Sequence, residues 1–151
     1  MGNPNYNRYF QRMRTTTNTT GSQACIEIIG PSLPNKITFI KKLDINLATA
    51  VASVFQVGRP TAAGVTPTSP VQLFSLDGGD DSLATWALAW GTSPTIPNEN
   101  FNRFSLPATV GTRYEIEYPD QGLALRQNET FIIYNVGTVG VLDVAVTISE
   151  F

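Results

Sequence analysis

Residues 113–118, with the sequence RYEIEY, alternate at every position between a charged side chain and an apolar or aromatic one. Tyr114, Ile116 and Tyr118 occupy one phase of this alternation. Because successive side chains of a β-strand point to opposite faces of its sheet, the stretch predicts a strand with one buried face and one solvated face. Such strands are typical of antiparallel sheets, in which one face packs on a core and the other meets water.

The same period of two runs through much of the chain. One phase of residues 141–148 is wholly apolar: Leu142, Val144, Val146 and Ile148. Further strands are predicted at residues 24–29, 36–43, 49–57, 84–90, 123–125 and 130–135. Turns rich in glycine and proline separate them, such as PDQG at 119–122 and VGTVG at 136–140. The sequence therefore predicts an all-β fold, an antiparallel jelly roll or β-sandwich of about eight strands.

Composition restricts the chemistry that the chain can perform. It has 151 residues, a net charge of −2 and no histidine. Without histidine there is no Ser-His-Asp or Cys-His catalysis and no His-ligated metal. A single cysteine, Cys25, cannot form an internal disulfide, and the charge balance gives no case for general nucleic-acid binding.

No feature of the sequence indicates a membrane segment or secretion. No segment has the roughly 18–20 apolar residues of a transmembrane helix, and residues 1–20 lack the apolar core of a signal peptide. We therefore expect synthesis in a cytoplasm and no membrane partner.

Residues 1–23 differ from the rest, which leads us to predict an extended N-terminal arm there, followed by one domain at residues 24–151. Residues 1–42 hold six basic residues and one acidic residue, whereas 43–151 hold four basic and eleven acidic ones. The arm is a frayed, solvated terminus, or it orders on a partner surface through arginine and aromatic anchors. The candidate docking residues are Tyr6, Arg8, Tyr9, Phe10, Arg12 and Arg14.

Three motifs contain residue types that can form a chemical site. The acidic turn DGGDD at residues 77–81 offers carboxylates to calcium, but its spacing is not that of an EF-hand and favours a plain turn. Glu115 and Glu117 lie on the exposed phase of their strand, which favours a polar outer face over a glycosidase pair. Cys25, beside Ile26 in an apolar run, indicates a buried structural thiol. We predict no catalytic residue, no metal and no cofactor.

Four aromatic residues have two interpretations. Trp86, Trp90, Tyr114 and Tyr118 would form a sugar-stacking platform if they faced solvent. Large aromatic residues on the apolar phase of a strand are usually part of the core, and that interpretation is favoured.

The C-terminal sequence is similar to that of a known class. Residues 114–126 (YEIEYPDQGLALR), 129–134 (ETFIIY) and 141–150 (VLDVAVTISE) look like the final strands of small phage virion proteins, in which a Gly-Leu-x-Leu turn leads into the last hairpin. The chain resembles the jelly-roll capsid decoration, or cement, proteins of tailed bacteriophages. This resemblance implies a homotrimer on the outer capsid surface of the virion. It also implies that extended arms bind the major capsid protein, without catalysis.

Two other functions remain open from the residues. A carbohydrate- or receptor-binding β-sandwich, such as a fibre tip or lectin-like module, predicts that Trp86 or Trp90 is exposed beside polar loops. A small enzyme on a β scaffold requires an acid–base constellation, and the sequence offers none.

Overall fold

The computed structural model describes the backbone of residues 8–17 and all of residues 23–76, 78–137 and 140–151. This part of the chain is all-β, as predicted, with no helix. The strands are β1 Arg8–Thr17, β2 Gln23–Ile29, β3 Thr38–Leu47, β4 Ser53–Pro60, β5 Val65–Pro67, β6 Val71–Gln72, β7 Phe74–Ser75, β8 Thr85–Ala87, β9 Trp90–Thr92, β10 Pro97–Leu106, β11 Arg113–Glu117, β12 Leu123–Leu125, β13 Thr130–Asn135 and β14 Val141–Glu150. The prediction of about eight strands did not include the ten-residue strands β1 and β10, and it missed most of the short segments of two or three residues.

The strands form two antiparallel sheets in a sandwich-like arrangement. Sheet A has the order β11-β3-β14-β1-β7, with β12 also paired to β3. Sheet B has the order β10-β4-β13-β2-β8-β6, and β5 pairs with β9 in a separate ribbon. The long pairings are nested along the chain, because β1 pairs with β14, β2 with β13, β3 with β11 and β4 with β10.

The core lies between the inward faces of the two sheets. Sheet A contributes the whole apolar phase predicted for the last strand: Leu142, Val144, Val146 and Ile148. Sheet B contributes larger side chains, among them Phe55, Trp86 and Phe131. The alternation of β11 is also confirmed, since Ile116 is buried and Tyr114 packs against the core.

Gly58 in β4 lies opposite an irregular part of β10. The register of β10 shifts between Pro97 and Glu99 and again between Asn100 and Asn102. A Cβ atom at position 58 would collide with the carbonyl oxygen of Glu99. Because this oxygen belongs to the backbone, it cannot rotate away as the end of a flexible side chain could. The two strands can therefore approach this closely only because Gly58 has no side chain.

We expect Gly58→Ala to lower the free energy of unfolding by about 3 kcal/mol, because the collision can be relieved only by moving backbone. Gly137→Ala is the matched control, since a Cβ there meets nothing within 4 Å; its cost should stay within about 0.5 kcal/mol. Urea unfolding followed by tryptophan fluorescence measures both. Equal midpoints for the two variants would contradict the packing described for Gly58.

Candidate functional site

The N-terminal segment is the first candidate, and its described backbone belongs to sheet A. β1 pairs with β14 over its full length, from Arg8 opposite Glu150 to Thr17 opposite Val141. Its other edge pairs with β7. Of the predicted docking residues, Arg8, Tyr9, Phe10, Arg12 and Arg14 have their backbone in this strand, and Tyr6 lies outside the described residues. Sequence patterning did not predict a strand here, and contact of these side chains with a partner stays a prediction.

Glu150 fixes the region where β1 begins. Its carboxylate accepts hydrogen bonds from the backbone N–H of Leu83 at 2.8 Å, from that of Ala84 at 2.9 Å and from the hydroxyl of Thr38 at 3.0 Å. These bonds connect the end of β14 to the start of β3 and to the segment before β8. Glu150, which lies opposite Arg8, is therefore held in place by hydrogen bonds to two other segments of the chain.

The outer face of β3 and β11 carries an exposed ladder of ion pairs. Arg113 donates two hydrogen bonds to Asp44 and one to Glu115 at 3.0 Å, while Lys42 lies 2.7 Å from Glu115. The hydrogen bonds from Arg113 hold the pKa of Asp44 below its usual value. Glu115 thus takes part in surface ion pairs, each worth roughly 0–1 kcal/mol, and Glu117 lies 4.0 Å from Lys42 in the same ladder. This arrangement agrees with the polar outer face expected for the two glutamates.

The acidic turn has only part of its residues described. Asp77 lies outside the described residues, and Asp80 and Asp81 are exposed. Within the described ranges, no group of three or more His, Cys, Asp or Glu side chains is placed to hold a metal ion.

The aromatic residues pack mainly as a core. Trp86 is 1% exposed. Tyr114 stacks on Phe104 with ring centroids 4.0 Å apart, and Tyr118 meets Phe131 edge-on at 6.2 Å. The core interpretation is confirmed for Trp86, so this residue cannot serve as the exposed stacking surface that a sugar-binding module would need.

Glu27, which the sequence analysis did not single out, is a buried carboxylate in β2. It is 1% exposed and accepts hydrogen bonds from the indole N–H of Trp90 and the backbone N–H of Gly64, each at 2.9 Å. These bonds attach the β5–β9 ribbon to sheet B and engage the second tryptophan of the predicted platform. The signal in the sequence was a lone charge inside the apolar run ACIEII.

Arg59 is the centre of a charged cluster that the sequence analysis did not predict. Its guanidinium lies 3.1 Å from Glu99 and 3.2 Å from Glu129, and it donates to the carbonyl oxygen of Ala124 at 2.9 Å. The ring of Phe101 lies 5.9 Å away. The adjoining cleft has a volume of about 420 Å³. Both carboxylates are engaged by the same cation, so the cluster ties β4 and β10 to the residue that precedes β13.

The thiol of Cys25 is buried, as predicted, with 2% exposure. Burial raises its pKa to about 12. Since the thiolate is the reactive form, the folded chain holds the sulfur in its inert state at neutral pH.

We expect Ellman's reagent at pH 8 to leave Cys25 unmodified in the folded chain and to modify it fully in denaturant. The raised pKa also makes the thiol's contribution to stability complete below about pH 8.5. That contribution is then lost as the pH rises toward 12, because the unfolded thiol releases its proton first. Stoichiometric labelling of the folded chain within seconds would contradict this placement.

Comparisons with known proteins assign no function to the chain. No protein family, no curated protein and no solved structure matches the chain. Over the described ranges, the structure has no helix long and apolar enough to cross a membrane.

Proposed function

We propose that this chain is a structural virion protein that decorates and stabilises a bacteriophage capsid by binding its outer surface. The observation that carries the proposal is the nesting of the strand pairs. Eight strands have five or more residues: β1, β2, β3, β4, β10, β11, β13 and β14. Numbered in that order, they pair first with eighth, second with seventh, third with sixth and fourth with fifth.

This nesting supports an eight-stranded jelly roll. A long hairpin whose strands pair in that way, rolled into two sheets, has sheet orders 6-3-8-1 and 5-4-7-2. The orders of sheet A and sheet B correspond to these once the short strands are left aside. Jelly rolls are the architecture of many viral capsid proteins. The fold therefore agrees with the role that the resemblance implies.

The proposed mechanism is linked binding without catalysis. A protein that binds only the assembled shell stabilises that shell by its binding free energy. Many copies on a lattice make individually weak contacts effective. We propose a homotrimer, since closed symmetry gives each copy the same interface. The major capsid protein is the partner, contacted by the arm residues Tyr6, Arg8, Tyr9, Phe10, Arg12 and Arg14.

Two measurements on the purified chain test this function. Light scattering behind size exclusion should give a mass near three times 16.4 kDa. Sedimentation with empty capsids from the particles that carry this chain should give saturable binding. A chain that stays in the supernatant at all concentrations would overturn the proposal.

A further inference from the structure

The cleft beside Arg59 has the size of a small-ligand site. Its volume is about 420 Å³, within the roughly 300–1,000 Å³ that is typical of ligand pockets. It lies at the edge of sheet B, where β4 ends and β10 begins. Its lining contains two arginines and two glutamates, Arg59, Arg126, Glu99 and Glu129, so the formal charges of the cleft balance.

The polar groups of the cleft are fixed in place by contacts within the chain. The carboxylate of Glu129 accepts hydrogen bonds from the Arg59 guanidinium at 3.2 Å and from the backbone N–H of Arg126 at 3.1 Å. The carbonyl oxygen of Glu129 accepts a further bond from the N–H of Gly30 at 2.7 Å. Arg59 is also held by its bond to the carbonyl oxygen of Ala124. A ligand would therefore meet groups that need little reordering, which lowers the cost of binding.

The same groups retain hydrogen-bonding capacity. Each glutamate contacts Arg59 through its Oε2 atom, which leaves the second oxygen able to accept from a ligand. In the part of the chain that the structure describes, the Arg126 guanidinium and the Thr130 hydroxyl form no hydrogen bond or ion pair. The cleft thus offers two carboxylate acceptors, one forked donor and one hydroxyl that can donate and accept.

Phe101 adds apolar surface beside these polar groups. The two register shifts in β10 leave Phe101 without a partner in β4. Bulges of this kind re-aim side chains and are over-represented next to functional sites. The ring of Phe101 is 42% exposed, and its centroid lies 5.9 Å from the guanidinium carbon of Arg59. An aromatic ring therefore remains in contact with solvent next to the fixed charges.

We infer that this cleft binds a neutral, polyhydroxylated ligand, namely a sugar. Sugar hydroxyls both donate and accept hydrogen bonds, and two adjacent hydroxyls match the paired atoms of a carboxylate or a guanidinium. The C–H groups of a sugar ring are apolar and can pack against the exposed ring of Phe101. Sugar binding is an activity in addition to the proposed capsid binding, and it does not depend on that function.

The charge balance of the cleft argues against other ligands. An anion would be repelled by the two carboxylates, and a cation would be repelled by the two arginines. Over the described ranges, no group of three or more His, Cys, Asp or Glu side chains is placed to hold a metal ion. An apolar ligand would cover the charged groups without replacing the hydrogen bonds that they make with water.

Arg126→Gln tests the site, because Arg126 is exposed and its guanidinium can be removed without disturbing the core. Glucose, galactose, mannose and N-acetylglucosamine are each titrated at millimolar concentrations into the isotopically labelled chain and followed by NMR. At least one sugar should shift the amide resonances of cleft residues such as Ala63 and Thr130. Arg126→Gln should weaken that binding about tenfold, the loss expected for a hydrogen bond to a charged group. Arg103→Gln is the matched control: it removes an exposed arginine of β10 outside the cleft, and its binding should stay within about twofold.

Each outcome decides the inference separately from the proposed function. The inference is overturned if none of the four sugars shifts the cleft resonances, if the shifts map elsewhere, or if Arg126→Gln and Arg103→Gln weaken binding equally. Saturable binding of sulfate in the cleft would assign an anion site and also overturn it. Both variants should sediment with empty capsids like the unmodified chain, and failure of all three to sediment would overturn the proposed function alone. Thermal unfolding checks that Arg126→Gln is as stable as the unmodified chain.

Discussion

Removal of residues 1–20 is expected to abolish capsid binding and to leave a folded domain. The segment contains every proposed docking residue and three arginines without an acidic residue. Because avidity multiplies the contribution of each arm, the loss in apparent affinity should be at least about 100-fold. The apolar core described for the sandwich runs from Cys25 to Ile148 and keeps its strands. The truncated domain should nevertheless be less stable, since the whole β1–β14 pairing is lost.

A full-length variant separates docking from folding. Replacing Arg8, Arg12 and Arg14 together by Gln removes the three charges, keeps a polar side chain at each position and leaves the backbone pairing of β1 possible. If the arginines dock, this variant binds capsids more weakly and its binding depends less on salt, because fewer charges are screened. Unchanged capsid binding by the 1–20 truncation would refute the docking role.

Phe131→Ala is expected to cost about 3–5 kcal/mol of stability, the range for removing a buried aromatic ring. Phe131 is fully buried in β13, stacks on Phe101 at 6.4 Å and meets Tyr118 edge-on. A loss of this size is a large fraction of the roughly 5–15 kcal/mol that holds a domain folded. Urea unfolding measures this loss as a lower midpoint concentration at an unchanged m-value.

Phe101→Ala is the control for that substitution, because it also removes a phenylalanine ring, but from a residue that is 42% exposed. We expect a cost of about 1 kcal/mol. A cost for Phe131→Ala no larger than for Phe101→Ala would contradict the placement of Phe131 in the core.

Strands with an apolar phase, such as β11 and β14, or with a continuous apolar run, such as β2 and β13, were predictable from the sequence, and strands with neither pattern were not. The alternation of β11 and β14 follows directly from burial on one side. β10 was missed because it is an edge strand interrupted by two register shifts, and most of its side chains are exposed, so no strict period of two develops. β1 was missed because its run of Arg, Gln and Thr lacks an apolar phase.

The contacts that fix the loops depend on residues far apart in the chain. Glu27 and Trp90 are 63 positions apart, and Arg59 and Glu129 are 70 apart, so no local pattern pairs them.

The stability of the capsid itself tests the central claim most directly. Empty capsids are heated with increasing concentrations of the unmodified chain, and their disruption is followed by light scattering and calorimetry. A chain that binds only the assembled shell must raise the disruption temperature progressively as its free concentration increases, and the rise continues logarithmically above the dissociation constant. A disruption temperature that does not change at any concentration would contradict the account.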